Sequence, residues 1–223
     1  MPASVPDWLR PAGLPTHRMP SAQALQRLMA GNVRYLHQRA GEGGPPGHTA
    51  PAAHPFALVV GCLEPGAAAE ELFAERPGAL ECVRTAGPSL GADTLAGIEY
   101  AAMVQNVAVV LVLGHRGCTI VTTAANARRA GGLRLPDALT AWVSSAAAGA
   151  AEPDPVLGHV RALRALLRRS DSLLSLTHNG QLKIAAGVLD PVTGAVEFLP
   201  DEPDDLIEEA DLGQRPDPYT YGS

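Results

Sequence analysis

Lysine is almost missing from this sequence: Lys183 is the single one in 223 residues. Aromatic residues make up only 4%, and no basic block is interleaved with them. A groove that tracks phosphates and stacks bases has no source here, so no nucleic-acid partner is expected. The net charge of -6 bears on solubility rather than on fold. Long apolar runs are missing too. VAVVLVLG at 107–114 has the length of a strand, not of a membrane span, so no membrane partner is expected. The segment MPASVPDWLRPAGLP lacks a basic stretch followed by an apolar one, and a secretory signal is not expected. Cysteine is scarce: Cys62, Cys82 and Cys118 are an odd number in a chain long enough to build a core without disulfides. In a cytoplasmic chain, the expected location, that reads as metal ligation or chemistry with one cysteine left over. Scarce lysine beside abundant Ala, Arg, Gly and Pro is the bias of a GC-rich bacterial genome, which says nothing of function.

What is present is an alternation. Residues 1–20 carry five prolines and no period, and read as an extended arm. Leu25, Leu28, Met29, Val33 and Leu36 then fall at helical spacing, predicting an amphipathic helix over 21–39. The Gly/Pro-rich stretch 41–55 reads as a loop. FALVVGC at 56–62 is a continuous apolar run, as in a strand buried on both faces. Further strands are predicted at 80–85 and 107–113, with helices at 67–74, 92–105, 118–129, 137–149 and 156–169. LKIAAGVL at 182–189 and AVEFL at 195–199 flank DPVTG, a hairpin signal. Residues 200–223 form an acidic tail. One α/β domain over 21–199 follows, with a mostly parallel sheet between helices and an antiparallel edge strand near its carboxyl end.

Cys62 closes the first strong strand, and His115 and Cys118 follow the second. Sites in open α/β sheets lie beyond the carboxyl ends of strands, so these residues could meet there. Two thiolates and an imidazole suit Zn²⁺, and three protein ligands leave a fourth tetrahedral position open. A strand-end cysteine is also commonly a buried small hydrophobe, and H-x-x-C arises by chance, so spacing alone leaves both readings open.

Six ordered segments add to this. GNVRY at 31–35, GCLEPG at 61–66, PGALECVRTAG at 77–87, LAGIEYAA at 95–102, VLGHRGC at 112–118 and LKIAAGVLDPVTGAVEFL at 182–199 resemble the motifs of the β-class carbonic anhydrases. The resemblance implies that family's fold and zinc on Cys62, His115 and Cys118. It also implies a homodimer or higher homo-oligomer with its cleft at the subunit interface and the amino-terminal helix embracing the partner. The reaction it implies is reversible hydration of CO₂ to bicarbonate by zinc-bound hydroxide.

The chain departs from the family beside the metal. The family's first motif has an aspartate that orients the hydroxide and an arginine that pairs with it; here those positions are Glu64 and Gly66. A carboxylate without its guanidinium tends towards a higher pKa, and the longer acid can swing onto zinc. Leu63, Pro65 and Gly66 make the segment apolar and small, which opens volume for a larger substrate. Arg84 and Arg116 are read as structural and solvated, respectively. Thr119 and Gly97 replace a glycine and a serine of the family. Cys82 is expected in the core and His159 and His178 on the surface or at helix ends; His48 and His54, in the Gly/Pro loop, could reach the cleft as proton shuttles, and their roles stay open. Three functions follow: CO₂ hydration with Glu64 as the orienting acid, a zinc hydrolase or lyase for a small organic molecule, and an inactive homologue whose zinc is closed by Glu64.

Overall fold

The computed structural model describes residues 17–42, 50–64, 66–130, 137–146, 149 and 152–201. Most of the proline-rich arm, the acidic tail beyond Asp201, His48 and Pro65 lie outside the described residues. Five strands form one sheet in the order β2-β1-β3-β4-β5. They are β1 (Ala57–Cys62), β2 (Leu80–Thr85), β3 (Val109–His115), β4 (Lys183–Leu189) and β5 (Val196–Phe198). The first four run parallel, and β5 returns antiparallel on β4. Fold class and edge strand are as expected from the sequence.

The centre of the sheet is buried on both faces, which is why β1 and β3 read as unbroken apolar runs. Residues of alternate parity build two cores. Leu58, Val60, Val110, Val112, Ile184 and Ala186 pack on one face against α3 (Ala92–Met103), α4 (Thr119–Arg129), α6 (Pro155–Arg168) and α7 (Asp171–His178). Val59, Val109, Leu111, Leu113 and Ala185 pack on the other, against α1 (Ser21–Arg39) and α2 (Ala69–Leu72). A further helix, α5 (Asp137–Ala146), follows α4.

The helix ends have local causes. Asp154 caps α6 by accepting from the Val156 and Leu157 amides, with Pro155 at the first helical position, where its missing N–H costs nothing. The predicted helix over 67–74 shrinks to a single turn, and Ala74 leaves it with φ of 45°.

The GNVRY segment ties α1 to the rest. Asn32 is buried; its amide donates to the Leu72 and Gly194 carbonyls, and its oxygen accepts from the Val196 amide. A Cβ at Gly31 would lie 2.0 Å from the Phe73 carbonyl oxygen, so only glycine lets the helix come this close. Arg27 and Arg34 both reach the buried Glu75. The apolar stripe read from the sequence divides: Leu28 faces the core, while Met29 and Val33 are 44% and 53% exposed.

Candidate metal centre

The parallel register brings the carboxyl ends of β1 and β3 side by side, with Val60 opposite Val112. Cys62 is the last residue of β1 and His115 the last of β3; the chain then turns through Gly117, at φ of 71°, to Cys118, the N-cap of α4. Gly114 lets α6 close over this end, because a Cβ there would lie 2.5 Å from a Val160 methyl. Ligand atoms of Cys62, Glu64, His115 and Cys118 all lie within 4.8 Å of one another.

The geometry fits a tetrahedral ion. The two sulfurs are 3.8 Å apart. Two thiolates each about 2.3 Å from a tetrahedral zinc would stand about 3.8 Å from one another. His115 Nε2 is buried without a hydrogen bond, 3.1 Å from Glu64 Oε2, which is also near the spacing of neighbouring ligands. An orphaned ring nitrogen facing two thiols and a carboxylate is the donor set that borderline-soft divalent zinc prefers.

The electrostatics point the same way. The Cys118 thiol beside it, then His115 and the Glu64 amide, draw Cys62 down to about 4 against the opposing effect of burial. Cys118 is pushed up in turn, by that same sulfur first and then by burial. Thiols must lose their protons to bind a cation, so metal binding here would release protons. The Cys62 sulfur also raises His115, opposed by burial. Burial works to raise Glu64, but the Thr119 hydroxyl, the Cys118 side chain and the Thr119 amide outweigh it and hold the carboxyl below its usual range.

Around these four groups, Arg84 donates from Nε to the Cys62 carbonyl at 2.8 Å and from a terminal nitrogen to the Glu64 carbonyl at 2.9 Å. It braces the backbone that carries the acid and leaves the carboxylate alone. Arg116 is exposed and pairs with Glu197 at 2.7 Å. The hydroxyl and amide of Thr119 donate to the Glu64 carboxylate; at the level of sequence Thr119 stands out only as the replacement for a glycine of the family.

Three expectations need correction. Cys82 is exposed, not in the core: β2 is the edge strand of the sheet, and α2, packed near it, is a single turn. His159 is fully buried and bonded to the Pro88 carbonyl rather than lying at the surface. His54 precedes β1, whose other end is Cys62; six residues of strand span about 20 Å, so within the subunit it cannot reach the cluster. His178 ends α7 exposed, as expected.

A family model described as carbonic anhydrase matches residues 57–196, from the start of β1 to the hairpin. The chain belongs to the β-class carbonic anhydrase family. Carbonic anhydrase 2 of Mycobacterium tuberculosis is 41% identical over 70 residues, which are 31% of this chain and 34% of that protein. The matched stretch thus spans about a third of that relative. Among solved structures, the β-carbonic anhydrase CcaA superposes with a TM-score of 0.57 at 17% identity, covering 89% of this chain and 96% of that one. A β-carbonic anhydrase of Sordaria macrospora, described as tetrameric, gives 0.51 at 17%, covering 80% and 93%. At these identities the likeness concerns the fold.

Proposed function

We propose that this member of the family is a zinc-dependent lyase that interconverts CO₂ and bicarbonate, with the metal on Cys62, His115 and Cys118 and with Glu64 as its acid. The observation that carries this reading is the convergence of those three donors and one carboxylate at the carboxyl edge of the sheet. Zinc there would supply a Lewis acid that brings the pKa of water towards about 7. Two thiolates temper that effect by neutralising the metal's charge. Glu64 is therefore needed as a hydrogen-bond acceptor beside the reacting water, and an ionised carboxylate serves. Arg84 fixes the main chain on both sides of Leu63. The cleft against the cluster, lined in part by Gly61, Gly66, Leu113 and Leu189, holds about 50 Å³. At roughly 10–15 Å³ for each water-sized occupant, that is space for a few small molecules and suits a triatomic substrate.

Stopped-flow hydration of CO₂ by protein of known zinc content tests this. The expected result is measurable turnover that is lost in Cys118→Ala and lowered by about 10²-fold or more in Glu64→Ala, the scale for a positioned acid or base. Fully zinc-loaded wild type without turnover would remove the reading.

One observation favours a second substrate class. A Cβ at Gly66 would meet nothing within 4 Å except a Leu189 methyl at 3.8 Å. A side chain at this position thus has room to start among the described residues, and a small organic molecule could use the space that glycine leaves. Glu64→Asp combined with Gly66→Arg separates the two: the pair should raise CO₂ hydration under the first reading. Under the second it should block the cleft and leave hydration as poor as in wild type.

A further inference from the structure

We propose that Thr119 is the positioning residue for Glu64, holding its carboxylate in place of a guanidinium and presenting one oxygen to the thiol–imidazole cluster. The inference deepens the reading of Glu64 as the acid of a metal centre and rests on it. Among the described residues no arginine reaches this carboxylate: Arg84 is bound to main-chain carbonyls, and Arg116 to Glu197. Thr119 supplies the hold twice. Its hydroxyl donates to Glu64 Oε1, and its amide lies 3.2 Å from Oε1 and 3.1 Å from Oε2. The remaining reach of Oε2 is towards His115 Nε2, at 3.1 Å.

The position of Thr119 in the helix makes this possible. A threonine inside a helix turns its hydroxyl back onto the carbonyl one turn earlier. Thr119 is the first residue of α4, after the N-cap Cys118, so no such carbonyl competes. Its amide is one of the orphan donors of the first turn. The Val121 amide, another of them, turns to the Cys118 sulfur at 3.5 Å. The start of α4 thus serves both anionic partners of the cluster, where the helix dipole favours negative charge. Glu64 and Thr119 act as a unit built from positions 55 residues apart. The hydroxyl is neutral, so the unit orients the carboxylate without adding a cation beside the metal.

The test is a double-substitution cycle read on metal binding rather than on turnover. Zinc affinity is measured by competition with a chromophoric chelator, and cobalt(II) loading gives the d–d absorption of the centre. Thr119→Val keeps the shape and removes the hydroxyl. It should change the cobalt bands and weaken zinc by about 10-fold, the low end of the cost of disturbing the groups around a metal's ligands, because the carboxylate beside the ion loses its fixed place. Thr119→Ser, which restores the donor, should stay within about twofold of wild type. In a Glu64→Ala background, Thr119→Val should have no further effect, since coupled residues are non-additive. Should Thr119→Val fold poorly, Thr119→Ala tests the same loss with less bulk. Unchanged affinity and cobalt bands without the hydroxyl would overturn the proposal, as would a serine variant no better than valine or an additive cycle. Zinc retained undiminished in Cys118→Ala would instead overturn the metal site itself, a failure separable from that of the Thr119 role.

Discussion

Glu64 stands at a point where this chain departs from the motif it resembles, and its surroundings decide what the difference does. A carboxylate one methylene longer than aspartate can extend past a metal to water or bind the metal directly. What limits it here is Thr119, whose hydroxyl holds Oε1 and whose amide reaches both oxygens, with Oε2 also facing His115. At this scale the prediction concerns the ligands. His115→Ala or Cys118→Ala should cut zinc from about one per chain to near none when purified protein is assayed by elemental analysis, because two remaining donors do not hold a tetrahedral ion. Zinc that persists in both variants would place the metal elsewhere. Three of these residues were legible in the sequence, because strand ends in a parallel sheet converge and cysteine and histidine carry distinctive chemistry. The Thr119 hold was not. It joins residues 55 positions apart through a side-chain rotamer, and threonine at the start of a helix has many other uses. Cys82 was misread because apolar periodicity reports a strand without telling an edge from a centre.

At the scale of elements, α1 is fastened by side chains rather than by bulk. Asn32 bridges α2, the hairpin turn and β5 with three hydrogen bonds. Asn32→Ala leaves two carbonyls and one amide to find other partners. At about 1–3 kcal/mol for each buried group left unsatisfied, it should lower stability by about 3 kcal/mol, read as a shifted denaturant midpoint; a shift within error would remove the bridge from the account. The hairpin turn has a pH signature. The Thr193 amide, then that of Val192, holds the Asp190 carboxyl below its usual range. A depressed folded pKa contributes stability above the unfolded value of about 3.9, lost as pH falls through the folded one. Asp190→Asn should therefore flatten the acid limb of a thermal-stability profile below about pH 4. An unchanged limb would assign acid sensitivity to other carboxylates. Most element bounds were legible because apolar runs and caps mark them: α1 spans 21–39 as its period predicts. The pattern does not announce α7, which has eight residues rich in serine and threonine. It buries only Leu173 in full. A single anchor makes no stripe, and α7 is held by tertiary contacts such as those of Ser170 and Ser172 to Glu99.

At the scale of the whole molecule, part of the outward side of α1 is left exposed among the described residues. Its inner side meets the sheet through Ala24, Leu28 and Tyr35, yet Met29 and Val33 point away from that core. Beside them a hollow of about 230 Å³ is lined by Val33, Leu36, His37, Ala40 and Glu42. Burying apolar area is worth about 25 cal/mol per Å², and an interface of ordinary stability covers at least about 1,200 Å² in total. Two side chains cannot supply that alone, so they would form part of a broader contact along the helix. The resemblance implies a second subunit; we propose that it packs on this face, with the cleft where subunits meet. Assembly and site are then linked. Leu63, next to Cys62 and 59% exposed, would be covered by the partner, and the cleft would close to water only in the dimer. Sedimentation at micromolar concentration should give a dimer or larger species. Met29→Asp with Val33→Asp should shift it to monomer, because each carboxylate would have to be desolvated on an apolar face. The same variant should keep its zinc, whose donors all come from one chain, yet lose most CO₂ hydration. A monomeric wild type would defeat the assembly. A dimer that survives the double substitution would move the interface off α1, and full activity in a monomeric variant would show that the cleft needs only one subunit.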